Sequence, residues 1–77
     1  MSIHVKYFAS LGQRLGRTAD ELPADIDLTV ATVWQRLHPD LPLPANTLVA
    51  VNLEYAELEQ RVSAGDEVAF FPPVTGG

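Results

Sequence analysis

The residues Pro72-Pro73-Val74-Thr75-Gly76-Gly77 combine types that suit the presentation of one reactive group. Proline fixes φ and lacks an amide donor, so Pro72-Pro73 ends strand pairing and directs the chain away from a sheet. Glycine has no Cβ, so Gly76-Gly77 fits a slot too narrow for any side chain. At the tip stands the Gly77 α-carboxylate, a poor electrophile until it becomes a mixed anhydride with AMP. Such an acyl adenylate can pass its acyl group to sulfur, giving a thiocarboxylate, or to an enzyme thiol and then an amine. Either route needs a slender terminus that threads into another protein's active site. Either also needs a docking surface, because holding reactants in register removes much of a barrier. The plain alternative is a frayed tail.

Other side chains offer little competing chemistry. The sequence has no cysteine, so a disulfide framework, a thiolate metal site and a cysteine nucleophile are excluded. His4 falls at an outward strand position beside Lys6. His38 falls in the last turn of a helix, where a cation complements the helix dipole. Neither has a partner at metal-ligand spacing, so no metal site is expected. Ser2, Ser10 and Ser63 lack a nucleophile elbow. Asp66-Glu67 read as solvated turn acids, and Glu54, Glu57 and Glu59 as a solvated rim. Trp34 has core spacing. Gly76-Gly77 is followed by no helix, so no phosphate loop is present. Lys6, Arg14, Arg17, Arg36 and Arg61 are scattered in a chain of net charge −5, which argues against nucleic acid. The start has no signal-peptide core, and no apolar run reaches the length of a membrane span. A cytoplasmic location with no membrane partner is the expectation.

Seventy-seven residues, 47% apolar, suit one small α+β domain with a limited core. Ile3-His4-Val5-Lys6-Tyr7-Phe8-Ala9 alternates as a strand. Ser10 caps a short helical turn over Leu11–Leu15 that Gly16 closes. Thr18–Leu22 reads as a weak strand returning antiparallel to the first. Asp25-Ile26-Asp27-Leu28 leads into the clearest helix, with Thr29 as N-cap and Val30, Val33, Trp34 and Leu37 on one face. Pro39 marks its end, and residues 39–46 form an extended loop. Leu48–Asn52 is apolar on both faces, as for an interior strand covered on both sides. Residues 52–55 read as a turn, Ala56–Leu58 as a short strand, Ser63–Asp66 as a second turn and Glu67–Phe71 as the last strand. Residues 1–72 are the expected domain and 73–77 the tail.

One helix covers only one face of a sheet. If Ile3, Val5, Tyr7, Val68 and Phe70 face it, then Phe8 points away, and so does Phe71 with Ala69 on its side of the strand. Two readings stand for that second face. It is an exposed patch that marks a partner surface, or the loop over residues 39–46 folds across it.

Gly65-Asp66-Glu67-Val68-Ala69-Phe70-Phe71-Pro72-Pro73-Val74-Thr75-Gly76-Gly77 closely resembles the C-terminus of the sulfur-carrying small subunits of molybdopterin synthase. Val5-Lys6-Tyr7-Phe8-Ala9 with Leu11 and Leu15, and Leu48-Val49-Ala50-Val51-Asn52, are similar to that family's first and central strands. The resemblance implies a ubiquitin-like β-grasp fold with a mixed four- to five-stranded sheet and one main helix on one face. It implies a protein that is not catalytic alone. Gly77 is then adenylated by an ATP-dependent adenylyltransferase of the ubiquitin-activating type and converted to 1-thioglycine, with no cofactor bound. The large subunit receives the tail, Pro73, Val74, Thr75 and Gly76 threading and Gly77 bearing sulfur for cyclic pyranopterin monophosphate, within a heterotetramer. Phe8, Tyr55 and Phe71 are the implied partner-facing residues, although relatives often carry an aliphatic residue where Tyr55 stands. A sulfur carrier for thiamine or another pathway, a ubiquitin-like protein modifier, and a β-grasp module with an inert tail are the other readings.

Overall fold

A computed structural model describes residues 2–23 and 28–73. Alternation at the start produces strand β1, Ser2–Tyr7, with Ile3, Val5 and Tyr7 buried and His4 and Lys6 exposed. Helix α1, Ala9–Leu15, follows directly. Its N-cap is Phe8, in extended conformation and without a side-chain cap. Ser10 is therefore inside the helix rather than at its cap. The turn from strand to helix is made by Ala9, whose φ is +55°. Gly16 closes the helix at φ +75°, donating its N–H to the carbonyls of Gly12 and Gln13. A left-handed residue there satisfies carbonyls the helix leaves orphaned, at least cost for glycine.

Strand β2, Ala19–Pro23, returns antiparallel to β1, Ile3 opposite Leu22 and Val5 opposite Asp20. The expected lead-in, Asp25-Ile26-Asp27, lies outside the described residues. A two-residue strand β3, Leu28–Thr29, comes next. Helix α2, Val30–Leu37, then starts at Thr29, whose Oγ1 accepts from the Thr32 N–H at 3.2 Å. Val30, Val33 and Trp34 are buried as their spacing requires. Strands β4, Leu48–Val51, and β5, Glu54–Ala56, form a hairpin. A two-residue strand β6, Arg61–Val62, pairs with β3, and β7, Glu67–Phe71, completes the order.

The main sheet runs β2-β1-β7-β4-β5. Its central pair, β1 and β7, is parallel, with Val5 opposite Val68 and Tyr7 opposite Phe70, and the other pairs are antiparallel. The expectation of a mixed four- to five-stranded sheet with a main helix on one face therefore holds. The β3–β6 pair was not foreseen, because two-residue strands carry no readable periodicity.

Two expectations need correction. Residues 52–55 are not the turn: Asn52 and Leu53 alone, at φ +51° and +71°, make it. Two left-handed residues close a two-residue hairpin, so Tyr55 is the middle residue of β5, and Ala56–Leu58 is not the strand. β4 is interior by pairing, between β7 and β5, yet only Val49 is fully buried. The helix covers one face, and Leu48 and Ala50 alternate onto the other.

The core gathers Ile3, Val5, Val30, Val33, Val68 and Phe70 around Trp34 and Tyr7. Trp34 meets Phe70 edge-on with centroids 5.1 Å apart, and Tyr7 stacks on Phe70 at 6.2 Å. Trp34 Nε1–H donates to the Leu41 carbonyl at 2.8 Å. Leu41 and Leu43 pack against this core. The loop over 39–46 is thus held on the helix side of the sheet.

Candidate functional site

On the helix side of the sheet a buried histidine joins a chain of polar side chains. His38 caps α2 and is 8% exposed. The Tyr7 hydroxyl donates to Asp20 Oδ2 at 2.9 Å, and it lies 2.7 Å from His38 Nε2. A hydroxyl has one proton, so Nε2–H must donate to Tyr7 and Nδ1 keeps its lone pair. That lone pair faces Arg17 Nη2 at 3.4 Å, while Arg17 Nε pairs with Asp20 Oδ2 at 3.0 Å. Burial first, then the Arg17 charge, pushes the His38 pKa below its ordinary 6.5. Burial and the Asp20 carboxylate push the Tyr7 pKa up. The cation expected at the end of this helix is therefore a neutral imidazole. Tyr7 and His38 lie inside the fold, with Asp20 and Arg17 reaching them from its surface, and every buried polar side-chain atom among the described residues is paired. They are structural.

The opposite face of the sheet is different. Along β4, Leu48 stands opposite Phe71 and Ala50 opposite Ala69, while on the hairpin Ala50 stands opposite Tyr55. Alternation puts all of these on the face away from α2. Ala50 and Ala69 are small, which leaves room for Tyr55 to lean across onto Phe71. The two rings sit with centroids 6.0 Å apart and planes at 49°. The β1–β7 ladder continues one step past Tyr7: the Phe8 N–H donates to the Phe70 carbonyl at 3.1 Å. Phe8, in extended conformation, is therefore next in register to Phe71. Phe8 is 49% and Tyr55 78% exposed.

This face has two ends. Leu48, Phe71 and Phe8 make an apolar end where the chain leaves the sheet through Pro72 and Pro73. Lys6 and Glu67, paired at 3.2 Å, begin the polar end with His4. The loop over 39–46 does not cover the apolar end, so of the two readings of this face the exposed patch is the one observed. A cleft lined by Leu11, Arg14, Pro44 and Thr47 flanks Pro72 and Pro73.

Phe8, Tyr55 and Phe71 are thus brought onto one face, beside Pro73. Val74, Thr75, Gly76 and Gly77 lie outside the described residues. Sequence reasoning missed Leu48 and Ala50 as members of the face. The signal was their alternation with Val49 and Val51, obscured because both sets are apolar. Among the described residues no group of three or more His, Cys, Asp or Glu side chains is placed to hold a metal. Among the same residues no helix is long and apolar enough to cross a membrane.

Residues 5–77, nearly the whole chain, match the ThiS family. The chain belongs to the ThiS family. One relative, the molybdopterin synthase sulfur carrier subunit of Escherichia coli, is 37% identical over 97% of this chain and 99% of its own. The crystal structure of SAMP1 from Haloferax volcanii superposes with a TM-score of 0.82 at 32% identity, covering all of both chains. A protein–protein complex of subunits 1 and 2 of molybdopterin-converting factor from Helicobacter pylori contains a chain of the same fold. It gives a TM-score of 0.68 at 20% identity over all of both chains.

Proposed function

We propose that this protein is the sulfur carrier subunit of a molybdopterin synthase. Its domain, residues 1–72, positions a tail, residues 73–77, that carries sulfur on Gly77. The observation that carries this reading is the apolar sheet face beside Pro72 and Pro73, which supplies a dock where the chain leaves the sheet toward Gly77. The name borne by the Escherichia coli relative supports the same activity.

The chemistry follows from the carboxylate. An oxygen of Gly77 attacks the α-phosphate of ATP on an adenylyltransferase, and pyrophosphate leaves. A sulfur nucleophile then attacks the activated carbonyl, and AMP leaves with the C–O bonding pair. The resulting thiocarboxylate enters the large subunit, where its sulfur bonds to cyclic pyranopterin monophosphate and links it to Gly77 as a thioester. Water then cleaves that thioester at the Gly77 carbonyl, which leaves the sulfur on the pterin and returns the carboxylate for another cycle. The chain itself supplies placement: Phe8, Tyr55 and Phe71 meet the partner, Pro73 stiffens the exit, and Val74, Thr75 and Gly76 thread. Catalysis belongs to the partners, which act in the cytoplasm.

The small archaeal modifier relatives share this fold, so the fold alone does not separate carrier from modifier. Reconstitution separates them. The thiocarboxylated chain, mixed with the large subunit and the pterin precursor, is expected to yield the dithiolene product. Failure to yield it, while a known carrier succeeds under the same conditions, would remove the proposal.

A further inference from the structure

Leu53 sits at the tip of the β4–β5 hairpin with φ +71°, and it is 89% exposed. A two-residue loop with both residues left-handed favours Asn-Gly, because glycine alone takes the second place without a Cβ clash. Asn52 meets that preference and uses its side chain as well. Its Nδ2 donates to Asp66 Oδ1 at 3.1 Å, and its Oδ1 accepts from the Glu67 N–H at 3.0 Å, pinning the tip to the entrance of β7. Leu53 meets neither need. A bulky side chain at positive φ strains the backbone, and at this exposure it gains almost nothing from packing in the free protein.

We propose that Leu53 is a partner anchor, seated in an apolar pocket of the subunit that receives the tail. The proposal rests on the carrier reading above and extends the docking surface from the tail base to the far end of the β4–β5 edge. That edge runs from Leu48 to the tip, about 13 Å at strand rise, within the span of an ordinary interface of about 800 Å² per partner. The charges around the anchor state the partner's chemistry. Glu54 is exposed beside Leu53, with the Asp66 carboxylate behind it against Asn52, in a chain of net charge −5. A pocket rimmed by Lys or Arg complements them. The subunit that binds an anionic pterin monophosphate has reason to be basic around the tail's entrance.

The test reads stability and affinity together on the full chain. Leu53→Gly and Leu53→Asn relieve the strain and keep the Asn52 hydrogen bonds. Both are expected to raise the melting temperature by a few degrees. Both are expected to weaken binding to the large subunit about tenfold, the scale of an interface anchor. Leu53→Met, which keeps an apolar side chain, is expected to restore most of the affinity. The proposal is overturned if wild type binds and Leu53→Gly binds within about twofold of it, or if Leu53→Gly lowers the melting temperature. Absence of binding by wild type itself removes the carrier reading and this proposal with it.

Discussion

Phe70 and Phe71 are chain neighbours with opposite environments. Phe70 is fully buried against Trp34 and Tyr7, whereas Phe71 lies half-buried on the outer face under Tyr55. Phe70→Ala is expected to lower stability by about 3–5 kcal/mol, as for a buried phenylalanine. Phe71→Ala is expected to cost about 1 kcal/mol, judged by the modest worth of one aromatic pair, while weakening large-subunit binding about tenfold. Denaturant melts and a binding titration on both variants check the contrast. A loss on Phe71→Ala as large as that of Phe70→Ala would place it in the core instead. His38 predicts a pH dependence. Its pKa is lowered in the folded state, so below the ordinary 6.5 the unfolded chain binds the proton more readily. Stability from this site is then complete above that value and is lost as pH falls toward the folded pKa. Denaturation midpoints across pH 7.5 to 5, an interval of about 2.5 units around the ordinary histidine range, are expected to fall less steeply in His38→Gln than in wild type. Equal slopes would show that His38 is not the group responsible.

At the scale of elements, helix α2 was legible because its apolar spacing, Thr29 cap and Pro39 stop agree with one another. Thr29→Ala removes the acceptor for the Thr32 amide and is expected to cost about 1 kcal/mol, read as a shift in denaturant midpoint. The first and last strands were legible from alternation and from the Gly65 and Pro72 boundaries. The hairpin was not, since its turn uses Asn-Leu rather than Asn-Gly, and a leucine in the left-handed region sends no signal. That hid the place of Tyr55 and shifted the strand by two residues. Neither could sequence reveal the state of His38. Its lowered pKa arises from burial and then from the Arg17 charge, against the opposing pull of Asp20, and these groups reach it from the turn before β2 and from β2. The outer face was half legible: Phe8, Ala69 and Phe71 followed from parity, but Leu48 and Ala50 could not be told from core residues until one face proved to be uncovered.

In the proposed reading, the whole molecule divides its labour between a sheet that holds itself together and a carboxylate used by other proteins. Among the described residues the aromatic core members are Tyr7, Trp34 and Phe70, all of which precede the proposed tail. Truncation after Pro72 is therefore expected to leave the denaturant midpoint unchanged while abolishing sulfur transfer. Loss of cooperative unfolding in that truncation would show that the last residues belong to the fold. The most direct measurement is intact mass after incubation with an adenylyltransferase, ATP and a sulfur source. The carrier account predicts one oxygen-for-sulfur mass gain, localised to Gly77 and absent without ATP. An unchanged mass, or covalent adducts on other proteins in place of the thiocarboxylate, would contradict it.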